Sequence, residues 1–203
     1  MRYGLRLTLC RGSFGHGVPP QIARNQYDVP LPTVEVLLPQ GPRTTERVRA
    51  AHCHIALCRL TEILGELLPL VYDLQHRFPR ETSKKLRQIR TDLEMWEDSL
   101  PDWLRPPATS PEPQTWGPSS LYLSFLAVKM LVSRVELNVS QPTYAEVTLL
   151  KHPSQEIKNA EFDNPEARRY FQTECRKNAE DIVSFIASLR KENFEEFWLP
   201  CMS

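Results

Sequence analysis

A chain of 203 residues that is 41% hydrophobic, 9% aromatic and 25% charged has the make-up of one globular domain with irregular flanks, which excludes wholesale disorder. Its 25 Lys and Arg balance 25 Asp and Glu, so the chain offers no net field to draw in nucleic acid or an anionic membrane. Proline is abundant at 18 and glycine scarce at 7, which leaves little material for phosphate-cradling loops and divides the chain into bounded segments.

Residues 1–46 show no helical period and carry Pro19, Pro20, Pro30, Pro32, Pro39 and Pro42, the pattern of an extended Pro-rich arm. Val34-Glu35-Val36-Leu37-Leu38 is the one strand candidate in the chain. From 47 to about 77 the pattern predicts a long helix. Val48, Ala51, His52, Ile55, Leu60, Ile63, Leu64, Leu67, Leu68, Val71, Tyr72 and Leu74 recur at steps of three and four. Pro69 is expected to kink or break it, and Phe78-Pro79 to end it.

A second helix is predicted over 82–100, with Leu86, Ile89, Leu93, Trp96 and Leu100 as its apolar stripe. Its charges oppose the macrodipole: Lys84, Lys85, Arg87 and Arg90 come first, then Asp92, Glu94, Glu97 and Asp98. Such a helix depends on burying its stripe. Pro101, Pro106, Pro107, Pro111, Pro113 and Pro118 mark a loop over 101–118.

Ser119 or Ser120 is then expected to cap a third helix running to about Asn138. Leu121, Phe125, Val128, Val132 and Val135 lie on one side, and Leu126, Met130 and Leu131 widen the arc, as in a central helix. Residues 139–163 read as irregular. The last helix begins with Asn164 as cap, Pro165 in the first turn and Glu166 at the positive end. Tyr170, Phe171, Cys175, Ala179, Ile182, Ile186 and Leu189 form its stripe, and Phe194, Phe197 and Trp198 follow. The fold class is therefore all-α, an irregular domain of about four main helices joined by Pro-rich loops.

Cys10, Cys53, Cys58, Cys175 and Cys201 are odd in number and irregular in spacing, with no Cys-x-x-Cys pair, which argues reduced thiols rather than a disulfide scaffold. The N-terminal apolar run is too short for a signal peptide, and no stretch approaches the roughly 18 apolar residues of a membrane span. Asn138-Val139-Ser140 spells a glycosylation sequon, read as incidental in the absence of an export signal.

His52, Cys53, His54 and Cys58, with His16, are the residues that could be combined into a metal site, since His54 and Cys58 share a helix face. Cys53 points off that face, and the group lies within an apolar helix, so packing is the reading preferred. Nucleotide-loop and nucleophile-elbow motifs are missing. Glu94, Glu97 and Asp98, like the basic run Lys84, Lys85, Arg87 and Arg90, read as solvated helix faces. The residues themselves thus designate no catalytic or metal site, and the chain is read as a non-enzyme.

Several segments in order resemble the fungal-specific transcription factor domain, the middle homology region of binuclear zinc-cluster regulators. Ser13-Phe14-Gly15-His16-Gly17-Val18-Pro19-Pro20-Gln21-Ile22 and Tyr27-Asp28-Val29-Pro30-Leu31-Pro32 are similar to that family's Gly-Arg-Pro-Pro and Asp-(Val/Ile)-Pro-Leu-Pro segments. Leu60-Thr61-Glu62-Ile63-Leu64-Gly65-Glu66-Leu67-Leu68, with Val71-Tyr72, resembles its next helix. Leu93-Glu94-Met95-Trp96-Glu97-Asp98-Ser99-Leu100-Pro101-Asp102-Trp103-Leu104 resembles its Leu-x-x-Trp, Leu-Pro element. The helix from Leu121 to Arg134 and the Glu195-Glu196-Phe197-Trp198-Leu199-Pro200 segment complete the series. One departure is Val135, where the family has proline after the arginine.

The resemblance implies the regulatory part of a nuclear zinc-cluster transcription factor, modulating transcription through partners in the transcription machinery or through self-association, with a small-molecule effector as a further partner. The family's six-cysteine, two-zinc DNA-binding module has no counterpart in these residues. Zinc and specific DNA binding are thus expected only of a full-length member, and no cofactor of this chain. Residues 1–46 would come from the middle of the regulatory domain and 47–203 from its helical part, leaving the domain incomplete. Helix faces normally covered would then be exposed, so self-association is expected. The alternative is a helical protein-interaction scaffold unrelated to transcription.

Overall fold

The computed structural model describes residues 30–39, 42–73, 79–105, 117–140, 165–191 and 193, the side chains of 79 and 80 excepted. Helix makes up 85% of the described residues and no strand occurs among them, so the fold is all-α. In chain order the helices are α1 (Val34–Leu37), α2 (Thr45–Tyr72), α3 (Pro79–Asp98), α4 (Pro118–Val139) and α5 (Pro165–Ser188), with a 3₁₀ turn at Asp102–Leu104 between α3 and α4.

The strand expected at Val34–Leu38 is instead the single turn α1. Leu37 N–H bonds to the Thr33 carbonyl at 3.1 Å and Leu38 N–H to the Val34 carbonyl at 2.9 Å. A lone strand would leave its main-chain groups unpaired, whereas a helical turn satisfies some of its own. α2 starts two residues before the expected boundary, at Thr45, because Thr44 caps it by accepting the Arg47 N–H.

α2 continues through Pro69 and stops at Tyr72. The proline sits in the last turn on the exposed side, where the missing N–H interrupts little of the helix, and Asp73 N–H closes the end on the Pro69 carbonyl at 3.1 Å. Ala51, Leu60, Leu64, Leu67 and Leu68 of the expected face of α2 are buried, and the departures lie in its first half. His52 is exposed and Ile55 half-buried, while Cys53, Ala56, Leu57, Leu60, Leu64, Leu67 and Leu68 enter the core.

α3 buries its whole expected stripe, Leu86, Ile89, Leu93 and Trp96, and Leu100 in the following turn is buried with them. The 3₁₀ turn then seats Leu104 in the same core. α4 lies against α2, α3 and α5, which explains its broad apolar arc. Its N-cap is neither serine but Gly117, whose φ of 89° lies in the left-handed region that only glycine enters without strain. Pro118 occupies the first turn, where its missing N–H costs nothing.

The core is therefore a three-helix unit of α2, α3 and α4, with Leu60, Leu67, Leu68, Leu86 and Ile89 fully buried at its centre. α5 runs antiparallel along α4, since Asn193 meets Ser119 at one end and Asn178 meets Ser133 further along. It departs from its expected stripe at Tyr170 and Ile186, while Phe171, Cys175, Ala179, Ile182 and Leu189 of that stripe are half-buried. Tyr170 is 53% and Ile186 49% exposed, Phe171, Ile182 and Phe185 are half-buried, and its one buried residue is Asn178. The expected cap Asn164 and the aromatic residues Phe194, Phe197 and Trp198 lie outside the described residues. No described helix is long and apolar enough to cross a membrane.

Candidate functional site

Two concave places among the described residues border α3. The first is a cleft of about 350 Å³ between α1, the first half of α2 and the end of α3. The turn α1 forms one wall through Pro32 and Val34, α2 contributes Ile55 and Ala56, and Trp96 with Leu100 closes the far side. His52, Arg59 and Glu35 also line it. A volume of this size is at the small end of the range for organic ligands, which runs from about 300 Å³ upwards.

The cleft's far wall is held by tryptophans. Trp96 donates its indole N–H to the Ala56 carbonyl at 2.9 Å and stacks on Phe125 with ring centroids 5.3 Å apart. Trp103, on the 3₁₀ turn, takes the edge of His52 at 6.0 Å and the Arg49 guanidinium over its ring at 5.5 Å. This clip fixes the chain after α3 against α2 through an aromatic contact and a cation–π contact. Arg105 completes the turn by donating to the Asp98 carbonyl at 2.6 Å.

The second place is a polar junction of α3, α4 and α5. Arg90 of α3 makes a charged hydrogen bond to Glu136 of α4, which is only 7% exposed. Burial pushes the Glu136 carboxyl above its ordinary range, Arg90 pulls it back and Glu174 of α5 adds to the rise. For Arg90, burial works against the charged form, but the hydrogen bond and attraction to Glu136 outweigh it and raise its pKa. Close by, the Asn178 amide donates to the Ser133 hydroxyl at 2.6 Å, and that hydroxyl donates to the Lys129 carbonyl at 3.2 Å. The thiol of Cys175 is pushed up mainly by burial and also by Glu136 and Glu174, against the pull of Arg134.

The residues weighed as a metal group do not converge. His52 turns outward to Trp103, Cys53 donates its thiol to the Gly117 carbonyl at 3.5 Å, Cys58 is buried in the core, and His16 lies outside the described residues. No three His, Cys, Asp or Glu side chains among the described residues are placed to hold a metal ion. Within the basic run, Lys84, Lys85 and Arg87 are exposed as expected of a solvated face. Arg90 is not, because its partner Glu136 comes from another helix 46 residues away, a pairing with no local signal. Neither Asn178 nor Glu136 belongs to any motif; a polar residue within an apolar stripe is the only hint the sequence offers.

No family model, curated protein or solved structure matches this chain.

Proposed function

We propose that this chain is the regulatory part of a fungal zinc-cluster transcription factor, acting in the nucleus on transcription through protein partners and without specific DNA binding of its own. The observation that carries the reading is the segment Leu93–Leu104, whose Leu-x-x-Trp, Leu-Pro pattern resembles that family. Leu93, Trp96, Leu100 and Pro101 are the residues that pattern names; the first three are buried in one core and Pro101 is half-buried beside it. Their role is then structural, to hold together a helical platform on which partners or an effector are received. The balanced charge of the chain fits a module that leaves DNA contacts to another part of the protein. The 350 Å³ cleft beside Trp96 supports an organic effector as the second kind of partner.

The test is to fuse the chain to an unrelated DNA-binding module and place that module's site upstream of a reporter gene in a fungal nucleus. A change in reporter output relative to the module alone is the expected result. Unchanged output at equal nuclear protein level overturns the reading and favours a helical interaction scaffold outside transcription.

A further inference from the structure

α5 is held differently from the other long helices. The buried core is drawn from α2, α3, the turn after α3 and α4, and α5 adds only Ile182 and Phe185, both half-buried at its edge. The one buried residue of α5 is polar, Asn178. Little apolar area therefore seats this helix, and apolar burial is what holds a helix onto a core.

The seat is also imperfectly paired. Asn178 gives its amide to Ser133, but its side-chain oxygen is enclosed without a donor, and the Nε of Arg168 is enclosed without an acceptor. Both atoms belong to α5, and no other buried side-chain nitrogen or oxygen among the described residues lacks a partner. An enclosed polar atom without a partner has given up water for nothing, and lifting α5 returns water to both. A notch of about 60 Å³ remains where α5 meets α3 and α4. Residues 140–164 join α4 to α5, whereas neighbouring helices are commonly joined by about 2–8 residues. A connection that long lets α5 lift clear without pulling on α4.

We propose that α5 is a displaceable cover, which lifts off α4 as a unit ahead of the three-helix core and uncovers Tyr122 and Ser133. Its latches are Phe185, edge-on to Tyr122 at 4.8 Å, and the Asn178–Ser133 hydrogen bond. Because α5 packs chiefly on α4, its departure leaves Leu60, Leu67, Leu68, Leu86 and Ile89 closed between α2 and α3. Such a cover is a means of control, since this flank of α4 is available only in the open state. The inference does not rest on the proposed role in transcription.

Native-state hydrogen exchange of the whole chain, read by mass spectrometry in steps of urea below the unfolding transition, tests it. Amides of α5 are expected to exchange at least about 100-fold faster than those of residues 60–68 and 86–93, with a weaker urea dependence, as for a local opening. Cys175 on α5 is expected to react with a maleimide ahead of Cys53 and Cys58, which are buried in the core. Phe185→Ala removes one latch at the half-buried edge. It is expected to speed α5 exchange about 10-fold and to leave the core amides unchanged. Equal rates and equal urea dependence in α5 and the core would overturn the proposal, because the four helices would then open together. So would core amides accelerated by Phe185→Ala as much as those of α5. Exchange of α5 at the rate of an unfolded chain would overturn it too, because the helix would then not be seated at all.

Discussion

Trp96 of α3 donates its indole N–H to the main-chain carbonyl of Ala56 on α2 across 2.9 Å, and the same ring lies flat on Phe125 of α4. One side chain therefore joins all three helices of the core. The aromatic contacts continue from Phe125 to Tyr122 at 6.1 Å and from Tyr122 to Phe185 of α5 at 4.8 Å, so the fourth long helix is tied to the same line of rings.

Trp96→Phe keeps most of the ring and removes the hydrogen bond, and is expected to lower stability by about 1 kcal/mol. Trp96→Ala leaves a large void between three helices and is expected to cost about 3–5 kcal/mol, a large part of a domain's stability. Urea unfolding followed by circular dichroism separates the two.

The Asn178–Ser133 pair sets where α5 lies along α4. Ser133→Ala leaves a second buried polar group of Asn178 without a partner and is expected to cost about 1–3 kcal/mol. Adding Asn178→Leu removes the stranded amide, so the double variant is expected to lose less than the two single losses combined. A double-mutant cycle in urea measures the coupling, expected at about 0.5–3 kcal/mol.

Glu136 gives the fold a pH dependence of definite sign. Its carboxyl is raised above the ordinary 4.5 by burial, with Arg90 opposing and Glu174 adding. Between 4.5 and the raised folded value the folded chain holds more of this proton than the unfolded chain, so stability falls as pH rises through that window. The contribution is present in full below the unfolded value and lost above the folded one. Glu136→Gln is expected to flatten this part of the profile, and Arg90→Met to extend it upward by removing the opposing charge. Urea midpoints taken from about pH 4 to about pH 7 read both effects.

Gly117 has a backbone angle that a side chain resists, and its carbonyl also accepts the Cys53 thiol. Gly117→Ala is expected to cost about 1–2 kcal/mol from the left-handed conformation alone. Gly117→Asn is expected to cost less, since asparagine tolerates that region better. Thermal unfolding of the two variants gives the order.

The α3 stripe is legible in the sequence because Leu86, Ile89, Leu93 and Trp96 stand among charged residues, so that a single face stands out. On α2 the apolar residues run nearly all round, and periodicity cannot choose a face there. Cys53 and Ala56 lie on the inner side, where Cys53 meets the Gly117 carbonyl and Ala56 receives the Trp96 indole, contacts visible only once the helices meet. On α5 the inward position is a polar residue, Asn178, and a hydrophobic count turns the helix toward Tyr170 and Ile186 instead. The cap of α4 departs from expectation for a related reason. Serine is the common cap, yet the chain enters that helix through a left-handed residue, and Gly117 stands ready for it. The pairing at the polar junction is not legible, because Arg90 and Glu136 are neighbours only through the packing of α3 on α4.

The proposed role in transcription is tested most directly by asking whether reporter output from the tethered chain depends on the folded core that Trp96 holds together. Wild type, Trp96→Phe and Trp96→Ala would be compared at equal nuclear protein level. Trp96→Phe is expected to retain most of the effect, and Trp96→Ala to lose it in step with the loss of helix. Full output from a Trp96→Ala chain shown to be unfolded would contradict the role, because the helical platform would then not be the part that acts on transcription.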